Sequence, residues 1–175
     1  MNAKRKILEK IVRVDQAGEV GAQQIYEGQK LVFKTLKNKK DYDQISRMAN
    51  EEKEHLDYFN ELAKKESIKP TKLSNLFGVG AFAMGIGTAL LGRKAAYVCT
   101  EAVEEVIEAH YQKQIDELDS IHDDVREKII KFQEDEVDHK NTAINEGSQQ
   151  TFGYSILRKT INETTKLAIF MAERY

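Results

Sequence analysis

The sequence predicts an all-α protein built around a four-helix bundle, and three observations carry that expectation. Apolar residues recur at steps of three and four through most of the 175 positions, the spacing of helices with one buried face. Charged residues make up 32% of the chain, tryptophan is absent and Pro70 is the only proline, a composition that favours helix over sheet. One pattern also occurs twice: Glu19 is followed by Glu52-x-x-His55, and Glu104 by Glu136-x-x-His139 at nearly the same offset.

The spacing predicts helices over 3–37, 41–66, 93–118, 122–146 and 152–174, with a weaker one over 73–91. In the first, the inner line runs Leu8, Val12, Glu19, Ala22, Tyr26, Phe33. Asp41 with Gln44 resembles a reciprocal side-chain cap that would open the second, whose line runs Ile45, Met48, Glu52, His55, Phe59, Leu62. The Lys69-Pro70 pair interrupts the chain after it, because the residue before a proline is pushed away from helical geometry. The helix over 93–118 aligns Tyr97, Glu104, Ile107, Tyr111 and Leu118. The next aligns Val125, Ile129, Phe132, Glu136, His139 and Ala143, and Gly147 closes it. Segments 3–66 and 93–146 therefore read as two copies of one helical hairpin within a single domain, 1–175, long enough for one sizeable core.

Between the hairpins, Leu76 to Gly92 (LFGVGAFAMGIGTALLG) carries no charge, with Lys69 and Lys72 before it and Arg93 and Lys94 after it. Its length is borderline for a membrane span. A single crossing would separate the two halves of the repeated pattern, so the segment either lies on or dips into a membrane surface or packs as a buried glycine-rich helix. Its cationic flanks favour the interface. Its glycines miss the G-x-G-x-x-G spacing and follow no strand, which excludes a dinucleotide loop.

A net charge of −2 and a pI near 6.1 give no bulk attraction for nucleic acid. The lone Cys99 excludes an internal disulfide and fits a reducing compartment. The start, MNAKRKILEKIVRVDQ, is basic but lacks the apolar stretch of a secretory signal and the serine and arginine of a transit peptide. A cytosolic bacterial protein or a trimmed mature form is expected.

The repeated Glu and His residues occupy core-facing lines at mid-helix. Burying an uncompensated carboxylate costs at least several kcal/mol, so such groups pair, protonate or bind metal. No Lys or Arg shares these lines, whereas two divalent cations would balance four carboxylates and leave the imidazoles neutral. Residues three apart on a helix share a face, so each Glu-x-x-His offers an oxygen and a nitrogen to one ion. One carboxylate from each of two helices plus Glu-x-x-His from each of two others is the inward ligand set of ferritin-like di-iron and di-manganese bundles. Carboxylate with imidazole suits iron or manganese, and the lack of thiolates argues against structural zinc.

Other polar residues read more plainly. Glu51, Glu54, Glu101, Glu105, Glu108, Glu134 and Asp138 fall off or beside the inner lines, as solvated or supporting groups. His110 is either a satisfied core histidine or a substrate contact, and His122 lies at the surface. Tyr26 and Tyr111 either donate hydrogen bonds near the metals or simply pack. Gly18 and Gly21 flank Glu19, where a missing side chain allows close helix approach or leaves room for a ligand.

The run Arg13-Val14-Asp15-Gln16-Ala17-Gly18-Glu19, continuing through Gly21-Ala22, Ile25-Tyr26 and Gly28-Gln29, resembles the demethoxyubiquinone hydroxylase family of ubiquinone biosynthesis. So do Glu52-Lys53-Glu54-His55, Gly85 to Gly92, Val103-Glu104-Glu105, His110-Tyr111 and Ala172-Glu173-Arg174. Gln16, where histidine is common, and Asp138-His139 depart from the pattern without touching the six ligands. The resemblance implies a di-iron monooxygenase that hydroxylates a polyprenyl methoxy-benzoquinol, with dioxygen as co-substrate and NADH as reductant. Glu19 and His55 would bind one iron, Glu104 and His139 the other, and Glu52 and Glu136 would bridge them. It further implies a peripheral membrane protein, on the cytoplasmic face of a bacterial membrane or the matrix face of the mitochondrial inner membrane. Its partners would be the membrane-embedded quinol, other ubiquinone-biosynthesis proteins and further copies of itself. The rival readings are a ferritin- or rubrerythrin-like iron oxidation or storage protein and a membrane-associated scaffold in which metals only staple the bundle.

Overall fold

All six expected helices are present in the computed structural model, which describes residues 3–119 and 121–175. They are α1 (Ala3–Thr35), α2 (Lys39–Lys65), α3 (Ser74–Leu90), α4 (Arg93–Glu117), α5 (Asp123–Asn145) and α6 (Tyr154–Ala172), with one 3₁₀ turn at Ser148–Gln150 and no strand among the described residues. The fold is an all-α ferritin-like bundle.

The helix boundaries fall within two residues of the sequence expectation, and the two ends of α2 have identifiable causes. Asn38, not Asp41, caps α2, its side chain accepting from the Asp41 backbone N–H. Asp41 instead lies inside the first turn, 1% exposed, accepting from Arg93 Nε and Nη2 at 2.9 Å and from the Tyr97 hydroxyl at 3.0 Å. It pins the start of α2 to the start of α4. The second helix stops before Pro70: Ser67 takes a positive φ of 53°, ending the helical run locally. Gly147 does close α5, with a φ of 94° and its N–H on the Ile144 carbonyl.

The hairpins α1–α2 and α4–α5 pack into the bundle around two apolar clusters. One gathers Leu8, Val12, Phe59, Leu118, Val125 and Ile129; the other, at the opposite end, gathers Phe33, Ile45, Met48, Tyr97 and Ala143. The repeated acids and histidines lie between these two apolar plugs, which exclude water from both ends of the bundle axis.

The charge-free segment forms α3, which is buried on one side and exposed on the other. One face packs on α1, burying Gly78, Ala81, Gly85, Thr88 and Ala89, while Leu76, Val79, Leu90 and Leu91 stay exposed. The α1 contact is backbone to backbone. A Cβ on Gly85 would collide with the Ile25 carbonyl, 2.9 Å from its carbon, and one on Gly28 would meet the Ile86 nitrogen at 2.9 Å. No helix among the described residues is long and apolar enough to cross a membrane.

Helix α6 lies along the outside of α4 and buries only Ile161 and Ala172. Polar ties hold it: Tyr154 donates to Glu101 at 2.5 Å, Asn162 donates to Glu105 at 2.9 Å, Arg158 pairs with Glu105, and Lys10 pairs with Glu173 at 3.0 Å. Glu101 is thus 4% exposed and fully engaged, with Ser148 as a further donor, rather than a solvated side chain.

Candidate metal centre

The four helices of the two hairpins bring all six repeated residues to one place. Glu19 comes from α1, Glu52 and His55 from α2, Glu104 from α4, and Glu136 and His139 from α5; none is more than 3% exposed. Their ligand atoms fall into two groups, each within 4.8 Å: Glu19, Glu52, His55 and Glu136, and Glu52, Glu104, Glu136 and His139. Glu52 and Glu136 belong to both. That overlap is what a pair of ions sharing two bridging carboxylates requires.

The donor atoms are poorly satisfied by the protein itself. Glu52 Oε2, His55 Nδ1 and Glu136 Oε2 are buried without a hydrogen-bond partner, and buried polar atoms in folded proteins are normally paired. Among the described residues, the cationic groups reaching these carboxylates are the two histidines: His55 Nδ1 lies 3.4 Å from Glu136 and His139 Nδ1 lies 3.1 Å from Glu52. Electrostatics agrees. Burial, then the neighbouring carboxylates, push Glu19 and Glu104 well above the ordinary glutamate range. Burial alone would lower the histidines, yet the carboxylates of Glu136 and Glu52 beside them hold both up to about 12. Burial would likewise raise Glu52, but the hydrogen bond with His139 and the nearby His55 imidazole hold it well below its usual range. Without cations the cluster retains protons; divalent ions would displace them. The residues fit a dinuclear metal site.

Around this cluster lies a layer that the sequence only partly revealed. His55 Nε2 faces Asp135 Oδ2 at 3.1 Å, and His139 Nε2 faces Glu51 Oε2 at 2.8 Å. The pairing is crossed: the acid preceding each Glu-x-x-His orients the histidine of the other copy. Glu51 was expected among the solvated or supporting acids and Asp135 was not singled out. The available signal was an acid immediately before each motif, Glu51-Glu52 and Asp135-Glu136. Tyr26 donates to Glu104 at 2.9 Å, and Tyr111 donates to Glu19. Both tyrosines therefore bond to the cluster and pack beside it.

A small chamber of about 30 Å3 is lined by Glu19, Glu52, Glu104, Glu136 and Tyr111 together with Asp15 and His110. Through Val14, Gly18, Ala22, Val103, Ile107 and Ile169 it adjoins a far larger cavity of about 370 Å3 among α1, α3, α4 and α6. That larger cavity is walled almost wholly by apolar side chains such as Ile25, Phe77, Ala81 and Met84. Gly18 and Gly21 face it with no atom within 4 Å of an added Cβ, so both glycines leave open space and neither serves a close helix contact. His110 is half-buried, its Nε2 2.8 Å from Gln114 Nε2, and burial pushes it down to about 4. His122 is half-buried at the start of α5, rather than on the open surface.

Four helices, four buried carboxylates and two histidines, all meeting beside an apolar cavity, define the class: a ferritin-like bundle suited to a carboxylate-bridged pair of metal ions. Residues 6–172 match the family described as ubiquinone biosynthesis protein COQ7. The chain belongs to that family. It is 41% identical to a protein of Dictyostelium discoideum named NADPH-dependent 3-demethoxyubiquinone 3-hydroxylase, mitochondrial, over 98% of this chain and 79% of the relative. A Caenorhabditis elegans protein of the same name is 38% identical over 98% and 92%. The 3-demethoxyubiquinol 3-hydroxylase of Rhodospirillum rubrum is 37% identical over 96% and 78%.

Proposed function

We propose that this chain hydroxylates a demethoxyubiquinol ring on a di-iron centre, inserting one atom of dioxygen into a ring C–H bond. The observation that carries the reading is the junction of two features: carboxylates of both overlapping ligand groups line a chamber that adjoins the apolar cavity. Storage of iron needs no such cavity, and the relatives' names support a hydroxylase. Per turnover one C–H bond becomes C–OH, the second oxygen leaves as water, and two electrons and two protons are consumed. A reduced nicotinamide nucleotide supplies the electrons; NADH is the expectation from the resemblance, while two of the relatives above are named for NADPH.

Glu19 and His55 would hold one iron, Glu104 and His139 the other, with Glu52 and Glu136 bridging. The irons supply the oxygen-activating redox chemistry when bound. The chain's own share is separate. Tyr111 and Tyr26 fix the outer oxygens of Glu19 and Glu104. Glu51 and Asp135 hold the imidazoles so that Nδ1 faces inward. The apolar plugs above and below keep water out, and the large cavity takes the isoprenoid tail while the ring reaches the chamber. The exposed face of α3, with Leu76, Val79, Leu90 and Leu91 between Lys72 and Lys94, rests on the membrane from which the quinol enters. Burial pushes the Tyr26 and Tyr111 hydroxyls well above the usual phenol range, so both remain hydrogen-bond donors at neutral pH.

The test is reconstitution with ferrous iron, followed by dioxygen, a reduced nicotinamide and a demethoxyquinol. Hydroxylated product with two irons per chain supports the reading. Many irons per chain without product would indicate storage, and two irons without turnover a scaffold; either result rejects it. Replacing exposed residues between Leu76 and Leu91 with polar ones should move the protein from vesicles to the soluble fraction, and unchanged partitioning would reject the membrane role.

A further inference from the structure

Asp15 is a buried acid that nothing described so far uses. It lies one helical turn before Glu19 on α1, so the two share a face, and its side chain is 1% exposed. Oδ1 accepts from Gln114 Nε2 at 2.7 Å and lies 3.7 Å from His110 Nε2. Oδ2 has no partner, nor has Gln114 Oε1 beside it. The only ion-pairing neighbour it has among the described residues is His110, which is neutral at pH 7 because burial lowers it. A carboxyl placed this way weakens the fold unless something else occupies its free oxygen.

The chamber bordered by Asp15 supplies the place. Glu19, Glu52, Glu104 and Glu136 of the cluster line it, and so do Asp15 and His110. Its volume of about 30 Å3 is room for roughly two waters, enough for a ring hydroxyl and too little for a tail. A ring edge entering past Gly18 and Ile107, which line both this chamber and the large cavity, would meet the cluster carboxylates and Asp15 together.

We propose that Asp15, positioned by Gln114, accepts a hydrogen bond from a ring hydroxyl of the quinol and so fixes which ring edge meets the metals. This rests on the quinol reading above and deepens it to a residue that reads the substrate. Burial pushes the Asp15 carboxyl up to about 8, so near neutral pH it is largely the acid. With that proton on Oδ1, toward the neutral His110 imidazole, the free Oδ2 remains an acceptor for a phenolic hydroxyl. The site discriminates against a ring that lacks the hydroxyl proton, because the oxygen is then left buried and unpaired.

The experiment measures anaerobic binding of a short-tailed demethoxyquinol and of its dimethyl ether to the iron-loaded protein. The parent should prefer the free quinol by roughly tenfold. Asp15→Ala and the near-isosteric Asp15→Leu, neither of which can accept a hydrogen bond, should lose most of that preference by weakening quinol binding alone. Iron content and affinity for the ether should stay unchanged. The proposal is overturned if both variants keep the parent's preference, or if they weaken both ligands equally, which would mark Asp15 as a packing residue. Failure of the parent to bind either ligand is a different result, since it removes the quinol reading and this inference with it.

Discussion

Removing Asp135 should loosen one metal and leave the other nearly untouched, and removing Glu51 should do the reverse. Asp135 meets His55 at 3.1 Å, and Glu51 meets His139 at 2.8 Å, each across the bundle from the opposite repeat. An acid on the far nitrogen of a ligating histidine fixes its tautomer and strengthens it as a donor, an effect of about 10–100-fold in metal affinity. The Asp135 side chain is 51% exposed and that of Glu51 is 37% exposed, so water partly replaces either one. The lower end applies: about tenfold, or roughly 1.4 kcal/mol, for each alanine variant. The assay is anaerobic titration of metal-free protein with ferrous iron against a competing chelator, resolving two binding steps. Asp135→Ala should shift the step belonging to His55, and Glu51→Ala the step belonging to His139, with the double variant shifting both. Equal weakening of both steps by either single change, or no weakening at all, would refute the crossed arrangement.

Glu136→Ala should leave a helical protein that holds fewer than two irons and forms no hydroxylated product, read by metal analysis and product chromatography; full activity would dismiss the assignment. Gly85→Ala forces a methyl against the Ile25 carbonyl, and should cost about 1–3 kcal/mol and several degrees of melting temperature by calorimetry. Arg93→Ala leaves Asp41 buried with only Tyr97 and Asn38 as donors, and should cost about 2 kcal/mol at neutral pH. The Asp41 carboxyl resists its burial through hydrogen bonds from Arg93, Asn38 and Tyr97 and titrates below its usual 3.8. A depressed acid stabilises the fold above its unfolded pKa and loses that contribution as pH falls through the folded value. The difference between parent and Arg93→Ala should therefore be constant above about pH 5 and shrink toward pH 3 in denaturant titrations.

The helices and the six inner residues were legible because both rest on local periodicity: a carboxylate on an apolar line at mid-helix has nowhere to point but inward. Tyr26 and Tyr111 were left open between packing and hydrogen bonding, and the structure shows them doing both. What stayed hidden depends on how helices are turned against one another. Glu51 sits one residue off the inner line, and only the approach of α5 makes it a partner for His139. Asp41 looked like a cap because its local spacing allows it; the guanidinium of Arg93, distant in sequence, draws it into the interior instead. Glu101, which the sequence leaves as solvated or supporting, is buried because α6 folds over it. Asp15 precedes the first motif by one turn and carries no local sign that its second oxygen lacks a partner.

The glycine contact between α1 and α3 has a geometric corollary. With Gly28 and Gly85 letting backbone touch backbone, α3 can neither roll nor slide without collision, and α1 is also the helix that carries Glu19. Any surface on which the outer side of α3 settles is thereby held at a set height from the cluster. The pair acts as a spacer gauge, making the depth of the reaction chamber beneath that surface a property of two missing methyl groups.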